Sequence, residues 1–132
     1  MAHPVGPART FDKYQGKANT TAASALSAVS TTSLAALAGA GSKAWGPYLA
    51  VLVSEQEDAL SGVTGTFGSI QPPDDRADAL RAELNGILEQ SLEDVTAVRI
   101  AVRRGHLAEL DRVAAPLAGD AQELRAFIEA HP

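Results

Sequence analysis

The sequence contains no cysteine among its 132 residues. This absence excludes structural disulfides, thiolate nucleophiles and cysteine-ligated metal sites. It leaves the cellular compartment open, because a helical domain of this size can bury enough apolar surface without disulfides.

Aromatic residues are also scarce, at 5% of the chain, although hydrophobic residues as a whole make up 45%. A core of Ala, Leu and Val suits closely packed helices better than a β-sandwich, which favours β-branched and aromatic residues. The length is typical of one domain. We therefore expect a single all-α domain.

Long hydrophobic runs are missing as well. No uninterrupted apolar run approaches the ~20 residues that span a bilayer, so we predict no transmembrane span. The opening residues, MAHPVGPARTF, lack the hydrophobic segment of a signal peptide. We expect Met1 to be either a native start or a start placed where a targeting segment was removed.

The motifs of common enzyme sites are absent. Neither His106 nor His131 has a glutamate three residues before it, as a ferritin-like di-metal site requires. There is no Gly-x-Ser-x-Gly elbow and no Walker-type phosphate loop. The Leu107-Ala108 that follows His106 does not match the signature of histidine phosphotransfer bundles. We predict no enzyme activity, no metal and no cofactor.

The charge is unevenly distributed along the chain, whose net charge is −5. Residues 51–98 carry ten acidic residues against two arginines, whereas residues 1–50 have a net charge of +3. Nucleic-acid binding needs a concentrated basic face. The acidic middle of the chain therefore argues against a nucleic-acid partner.

The stretch Asp74–Gly105 predicts one long amphipathic helix, over about residues 75–104. Asp74 or Asp75 is the expected N-cap after two prolines, and Gly105 is the expected stop. Acids at its start and arginines at its end complement the helix dipole. The residues predicted to face inward are Ala77, Leu80, Leu84, Ile87, Leu88, Ser91, Val95, Val98 and Val102.

Apolar periodicity predicts three further helices, over about residues 9–38, 47–70 and 106–130, after a flexible lead-in at residues 1–8. The expected inward residues of the first include Val29 and Leu37, and those of the second include Ala59. A disordered linker is the alternative for residues 15–35, which are rich in Ser and Thr. Four helices with short connections over residues 9–132 predict an antiparallel up-down-up-down four-helix bundle.

Glycine and proline leave several local questions open. Gly39 or Gly41 is expected to adopt the left-handed C-cap conformation after the first helix. The glycines at positions 62, 65 and 68 indicate either a weakened helix end or a groove that another backbone approaches. Pro116 predicts a kink in the last helix or, alternatively, two shorter helices with Asp120 as the second N-cap.

Two groups of residues are candidates for binding. The basic cluster Arg99, Arg103, Arg104 and His106 either complements the helix dipole or binds an anion or an acidic partner. Trp45 and Tyr48 are large aromatic residues beside a glycine-rich break, where they either cap the core or rim a partner site.

The run PYLAVLVSEQEDALSGVTGTFGSIQPPDDRADALRAEL, with its helix–Gln-Pro-Pro-Asp–helix junction, is similar to small helical proteins of actinobacteria. Those proteins are often exported or lipid-anchored. The excess of arginine over lysine, eight to three, fits a GC-rich genome. The resemblance covers roughly residues 45–130 and implies a non-enzymatic, extracytoplasmic bundle.

We therefore expect a non-catalytic bundle outside the cytoplasm that binds a protein partner or a small apolar ligand. The alternative is a cytoplasmic regulatory or adaptor bundle that acts through one helix face. A homodimer is a further alternative, because a second copy would complete the thin apolar face of the first helix. A signal peptide or lipobox encoded upstream of His3 would separate export from a cytoplasmic location.

Overall fold

A computed structural model describes residues 10–41 and 46–132 of the chain. These residues form helices and connecting turns, with no strand in the described parts. The predicted lead-in at residues 1–8 lies outside them. The five α-helices are α1 (Phe11–Ala40), α2 (Gly46–Ser69), α3 (Asp75–Arg103), α4 (Leu110–Ala114) and α5 (Pro116–Ala130), and a 3₁₀ turn at Leu107–Glu109 precedes α4.

The helices alternate in direction, as contacts near their ends show. The rings of Tyr14 in α1 and Phe67 in α2 are 5.4 Å apart, so α1 begins where α2 ends. Arg76, at the start of α3, lies 4.0 Å from the centre of the Phe11 ring at the start of α1. The Asn19 side-chain amide donates to the His131 carbonyl oxygen beyond α5 at 2.8 Å.

These contacts make α1 parallel to α3 and antiparallel to α2 and α5. Together α4 and α5 occupy the fourth position, so the prediction of an up-down-up-down four-helix bundle is confirmed. We call the end where α1 and α3 finish and α2 and α4 begin the upper end. The opposite end, with the starts of α1 and α3, is the lower end.

α1 and α3 form the centre of the bundle, and α2 and α5 each pack against both of them. The close approach of α1 depends on alanine: Ala18, Ala22 and Ala25 are completely buried. Such small residues let the backbones of neighbouring helices come near. The packing of α1 against these helices compensates for the modest helix propensity of its Ser and Thr residues. The alternative of a disordered linker over residues 15–35 is therefore wrong.

α1 is also the one helix among the described residues that is long and apolar enough to cross a membrane. Its most apolar window has a mean hydropathy of 1.3, and 44% of that window is buried within the bundle. The central helix of a soluble bundle has the same length and composition. In this structure α1 packs against α2, α3 and α5.

The ends of α3 follow from local sequence. A carboxylate oxygen of Asp74 accepts from the backbone N–H of Ala77 at 2.9 Å, which confirms Asp74 as the N-cap. At the other end Gly105 has a φ of +75°, and the His106 N–H donates to the Ala101 carbonyl at 2.9 Å. This is a Schellman motif, which requires the left-handed conformation that glycine adopts without strain.

The apolar stripe of α3 was predicted almost completely. Eight of its nine predicted inward residues are buried, and Ile87 is half-buried. The stripe faces α1 in the middle of the bundle, with α2 and α5 on either side. A helix surrounded in this way needs one wide apolar face. The helical spacing of the apolar residues in the sequence predicts that face directly.

Two inward predictions on the other helices are wrong. Leu37 of α1 is 65% exposed, and Ala59 of α2 is exposed. In α2 the buried positions are Leu49, Val53, Leu60 and Phe67. The hydrophobic residues of these helices extend around more than one face, so the periodicity alone does not show which of them meets the core.

The glycine predictions also need correction. Gly39 lies inside α1, where an added Cβ would sit 2.7 Å from Leu110 Cδ1 and 2.8 Å from Leu49 Cδ1. It therefore permits close packing of three helices and is not a left-handed cap. Gly41, which ends α1, has a φ of −83°. An added Cβ at Gly62, Gly65 or Gly68 would meet no described atom within 4 Å, so these glycines form no packing groove.

The fourth helix is split at Ala115, and Pro116 occupies the first position of α5. Proline is well accommodated there because the first N–H groups of a helix have no intrahelical acceptor. The alternative of two shorter helices is thus confirmed. The prediction that Asp120 is the second N-cap is wrong, because this residue lies inside α5 and is buried.

Candidate functional site at the upper end

The bundle brings those predicted binding residues that the structure describes to one place, the upper end. Tyr48 lies in the first turn of α2, and the predicted basic cluster lies at the end of α3 and in the turn after it. Trp45, the other predicted aromatic residue, lies outside the described residues. The cluster is Arg99, Arg103, Arg104 and His106.

Arg99 differs from the rest of the cluster because its charge is engaged within the bundle. Its Nε lies 2.7 Å from Oε1 of Glu57 in α2, without the alignment of a hydrogen bond. The Thr96 hydroxyl donates to the other Glu57 carboxylate oxygen at 2.7 Å. Burial alone would raise the pKa of Glu57, but the Thr96 hydrogen bond and the Arg99 charge outweigh burial and lower it. Arg99 thus ties α3 to α2.

Arg103, Arg104 and His106 are exposed instead. Within residues 10–41 and 46–132, none of the three forms an ion pair. Arg112 lies further on, at the start of the fourth helix, and pairs with Glu109. Arg103 and Arg104 are therefore the arginines at this end whose charges are open to a partner.

Exposed large hydrophobic side chains gather at the same end. Across the described residues there are five of them: Leu34, Leu37, Tyr48, Val51 and Ile100. They occupy the last seven residues of α1, the first six of α2 and the last four of α3. At a rise of 1.5 Å per residue, all five lie within about 10 Å of the end of the bundle.

The upper end is poor in acidic residues, although the protein as a whole is acidic. No Asp or Glu occurs between Asp12 and Glu55, a stretch that includes all of α1 beyond its first turn. Residues 99–112 carry four arginines and two acids. We name the combined apolar and basic area the upper-end surface, which consists of Leu34, Leu37, Tyr48, Val51, Ile100, Arg103 and Arg104.

The hollows on this surface are shallow and open. Leu34 and Leu37 line one of about 280 Å³ between α1 and the fourth helix. Ile100 also lines the edge of another hollow, of about 570 Å³, which extends down the outer face of α3 past Leu92, Glu89 and Glu93. Apolar side chains that surround an end without enclosing a cavity favour contact with a broad surface over capture of a small molecule.

A buried pair of carboxyl groups lies elsewhere, between α3 and α5, and sequence reasoning missed it. Asp120 is 3% exposed, and its carboxyl group interacts with that of Asp94. One oxygen of each carboxyl group is buried with no N–H or O–H donor from the protein, and a proton shared by the two groups would satisfy both. Burial, then Asp94, then the charge of Glu123 raise the pKa of Asp120 to about 8.

A signal for this pair was present in the sequence. Asp120 follows Leu117 by three residues and precedes Leu124 by four, so it belongs to the apolar stripe of α5. A groove of about 680 Å³ also lies between α3 and α5, lined in part by Gln90, Glu123 and Phe127, and neither Asp94 nor Asp120 lines it. Because its carboxyl groups face each other across the helix interface, the pair acts as a packing contact there.

Comparisons with protein-family models, with curated proteins and with solved structures found no match to this chain. The fold is an antiparallel four-helix bundle, and bundles of this kind serve many unrelated functions. A functional assignment must therefore come from the residues of the site.

Proposed function

We propose that this protein is a non-catalytic binding bundle that acts outside the cytoplasm and holds its partner through the upper-end surface. One observation carries the proposal: the exposed large hydrophobic side chains of the described chain share one end of the bundle with two exposed arginines. Single exposed hydrophobic residues are common, but a concentration of them marks an interaction site.

The exposed hydrophobic side chains are distributed over three helices, which favours this proposal over an adaptor that acts through one helix face. Such a face presents residues at three- and four-residue spacing along one helix. Here α1, α2 and α3 each contribute side chains at the same level of the bundle.

Fractionation of the native organism tests the location: recovery of the protein in the cytoplasmic fraction alone would contradict an extracytoplasmic role.

The docking role is tested by the binding of Nile red, a neutral apolar dye. We expect Leu34→Gln/Leu37→Gln to reduce dye binding several-fold, because these exposed side chains supply much of the apolar area. The control is Ala79→Gln/Ala82→Gln, which changes two exposed residues in the lower half of α3. Fluorescence titration measures both, and urea unfolding confirms that each variant folds, since exposed substitutions usually change stability by only about 0.5 kcal/mol.

Equal dye binding by the wild type and the two variants would contradict the proposal. It would show that Leu34 and Leu37 do not form a usable apolar surface. Weaker binding by the Ala79→Gln/Ala82→Gln control alone would place the apolar site elsewhere on the bundle.

A further inference from the structure

We infer that the partner of the upper-end surface is an anionic lipid membrane, onto which the bundle docks by this end. This inference rests on the proposed function, because it names what the surface binds. Four features of the described residues support it: the shape of the apolar area, its depth, the charge of the upper end and the position of Tyr48.

The apolar side chains surround the end of the bundle and do not line one groove. Leu34 and Leu37 lie near the fourth helix, whereas Tyr48 and Val51 are on α2 and Ile100 is on α3. A peptide or a single helix covers one groove between two helices. A fluid layer of lipid headgroups can contact all of these sides at once.

The depth of the apolar area also fits a membrane interface. The five side chains lie within about 10 Å of the upper end, by the helical rise. Helices that bind at an interface bury their apolar faces about 5–10 Å into the boundary between headgroups and acyl chains. Insertion of the end to this depth would cover the whole apolar set.

The charge of the upper end selects an anionic surface. Arg103 and Arg104 are exposed and form no ion pair with the described residues. No acidic residue lies between Asp12, at the lower end, and Glu55. Of the two acids at the start of the fourth helix, Glu109 pairs with Arg112, and Asp111 is outnumbered by Arg103 and Arg104. The long aliphatic parts of arginine side chains also allow the guanidinium groups to reach the phosphate level.

The position of Tyr48 agrees with this arrangement. It is 60% exposed in the first turn of α2, at the same level as the aliphatic side chains. Tyrosine is enriched at membrane interfaces because its ring is apolar and its hydroxyl is hydrated. The lower end has a different character, with Asp74, Asp75 and Asp78 at the start of α3.

The test is sedimentation of the full chain with vesicles. We expect binding to vesicles of three parts phosphatidylglycerol to seven parts phosphatidylcholine, and at least tenfold weaker binding to pure phosphatidylcholine. Raising the salt to about 0.5 M should also weaken binding, because salt screens the attraction between exposed charges. Absence of binding to the anionic vesicles would overturn the inference.

Charge reversal at each end supplies the matched comparison. Arg103→Glu/Arg104→Glu should lose at least tenfold in affinity for the anionic vesicles. Lys13→Glu/Lys17→Glu makes the same change in net charge at exposed residues of the lower end and should retain binding. Equal losses would show that overall charge governs binding, which would overturn end-specific docking.

Two further variants keep the test decisive. Arg103→Gln/Arg104→Gln removes the charges without placing acids at the C-terminal end of α3, where they oppose the helix dipole. It should also lose affinity while its circular dichroism is unchanged. Leu34→Gln/Leu37→Gln should lose vesicle binding as well, and full retention by either variant would overturn the inference.

The vesicle and dye results separate the inference from the proposed function. If the dye binds in a Leu34- and Leu37-dependent manner and vesicles do not, the lipid inference fails and the docking role stands. If neither binds, both fail. Glycerol phosphate at millimolar concentration should not compete with vesicles; competition would indicate a site for a free anion and overturn membrane docking.

Discussion

Asp120 is the residue whose environment most changes its chemistry. An aspartate is ordinarily ionised at neutral pH, but burial against Asp94 raises the pKa of Asp120 to about 8. Two carboxylates cannot both be ionised at close range without a large electrostatic cost, so the pair retains a proton. The α1 helix contributes no charged residue between Lys17 and its end at Ala40, and Glu123 is a further acid facing the pair.

This environment predicts a specific pH dependence of stability. The native state retains a proton that the unfolded chain, with its usual pKa of 3.8 for aspartate, releases. The contribution of Asp120 to the free energy of unfolding should therefore fall as the pH rises from about 4 to about 8, by at most about 1.4 kcal/mol per pH unit. Asp120→Asn should flatten the profile and be more stable than the wild type at pH 9.

Urea unfolding at pH 5, 7 and 9 measures this effect. Asp58→Asn is the control, because Asp58 is an exposed carboxyl on α2 and its replacement should leave the profile unchanged. If Asp120→Asn keeps the wild-type slope between pH 5 and pH 9, the two carboxyl groups do not share a proton in the folded protein.

α3 is the element that organises the bundle. It parallels α1 in the centre and connects to α2 through the Arg99–Glu57 contact and to α5 through the carboxyl pair. Its apolar stripe runs from Ala77 to Val102. Both ends are defined by local features, an aspartate N-cap and a glycine stop, so local sequence is enough to predict the limits of this helix.

Two substitutions in α3 test how its stripe divides between core and surface. Leu84 is completely buried, so Leu84→Ala should cost about 2–5 kcal/mol of the free energy of unfolding. Ile87 is half-buried at the groove beside α5, so Ile87→Ala should cost clearly less. Urea denaturation measures both against Ala82→Gln at an exposed site. An equal or larger loss for Ile87→Ala would place that side chain in the core.

At the scale of the whole molecule, the two ends of the bundle differ in apolar exposure and in acidic residues. Asp74, Asp75 and Asp78 open α3 at the lower end, beside Lys13 and Lys17, whereas two exposed arginines and the five exposed hydrophobic residues of the described chain lie at the upper end. The separation exists because antiparallel packing places the end of α1, the start of α2 and the end of α3 together. Under the membrane proposal, a molecule with this polarity would dock in one orientation, which is why charge reversal at the two ends should have different effects on vesicle binding.

The sequence by itself determined the features that depend on neighbouring residues. An aspartate cap at Asp74 or Asp75, the stop at Gly105 and the stripe of α3 follow from side-chain hydrogen bonds, backbone conformation and helical period, and the structure then chose Asp74. The alternating directions of the four helical segments follow from the short connections between them.

The tertiary structure alone decided the features that depend on which helix faces meet. Leu37 is exposed and Gly39 is closely packed, although both lie near the end of the same apolar helix. Asp94 and Asp120 are 26 positions apart, and only the contact of α3 with α5 joins them. The upper-end surface likewise draws on three helices, so no periodicity within one helix could reveal it.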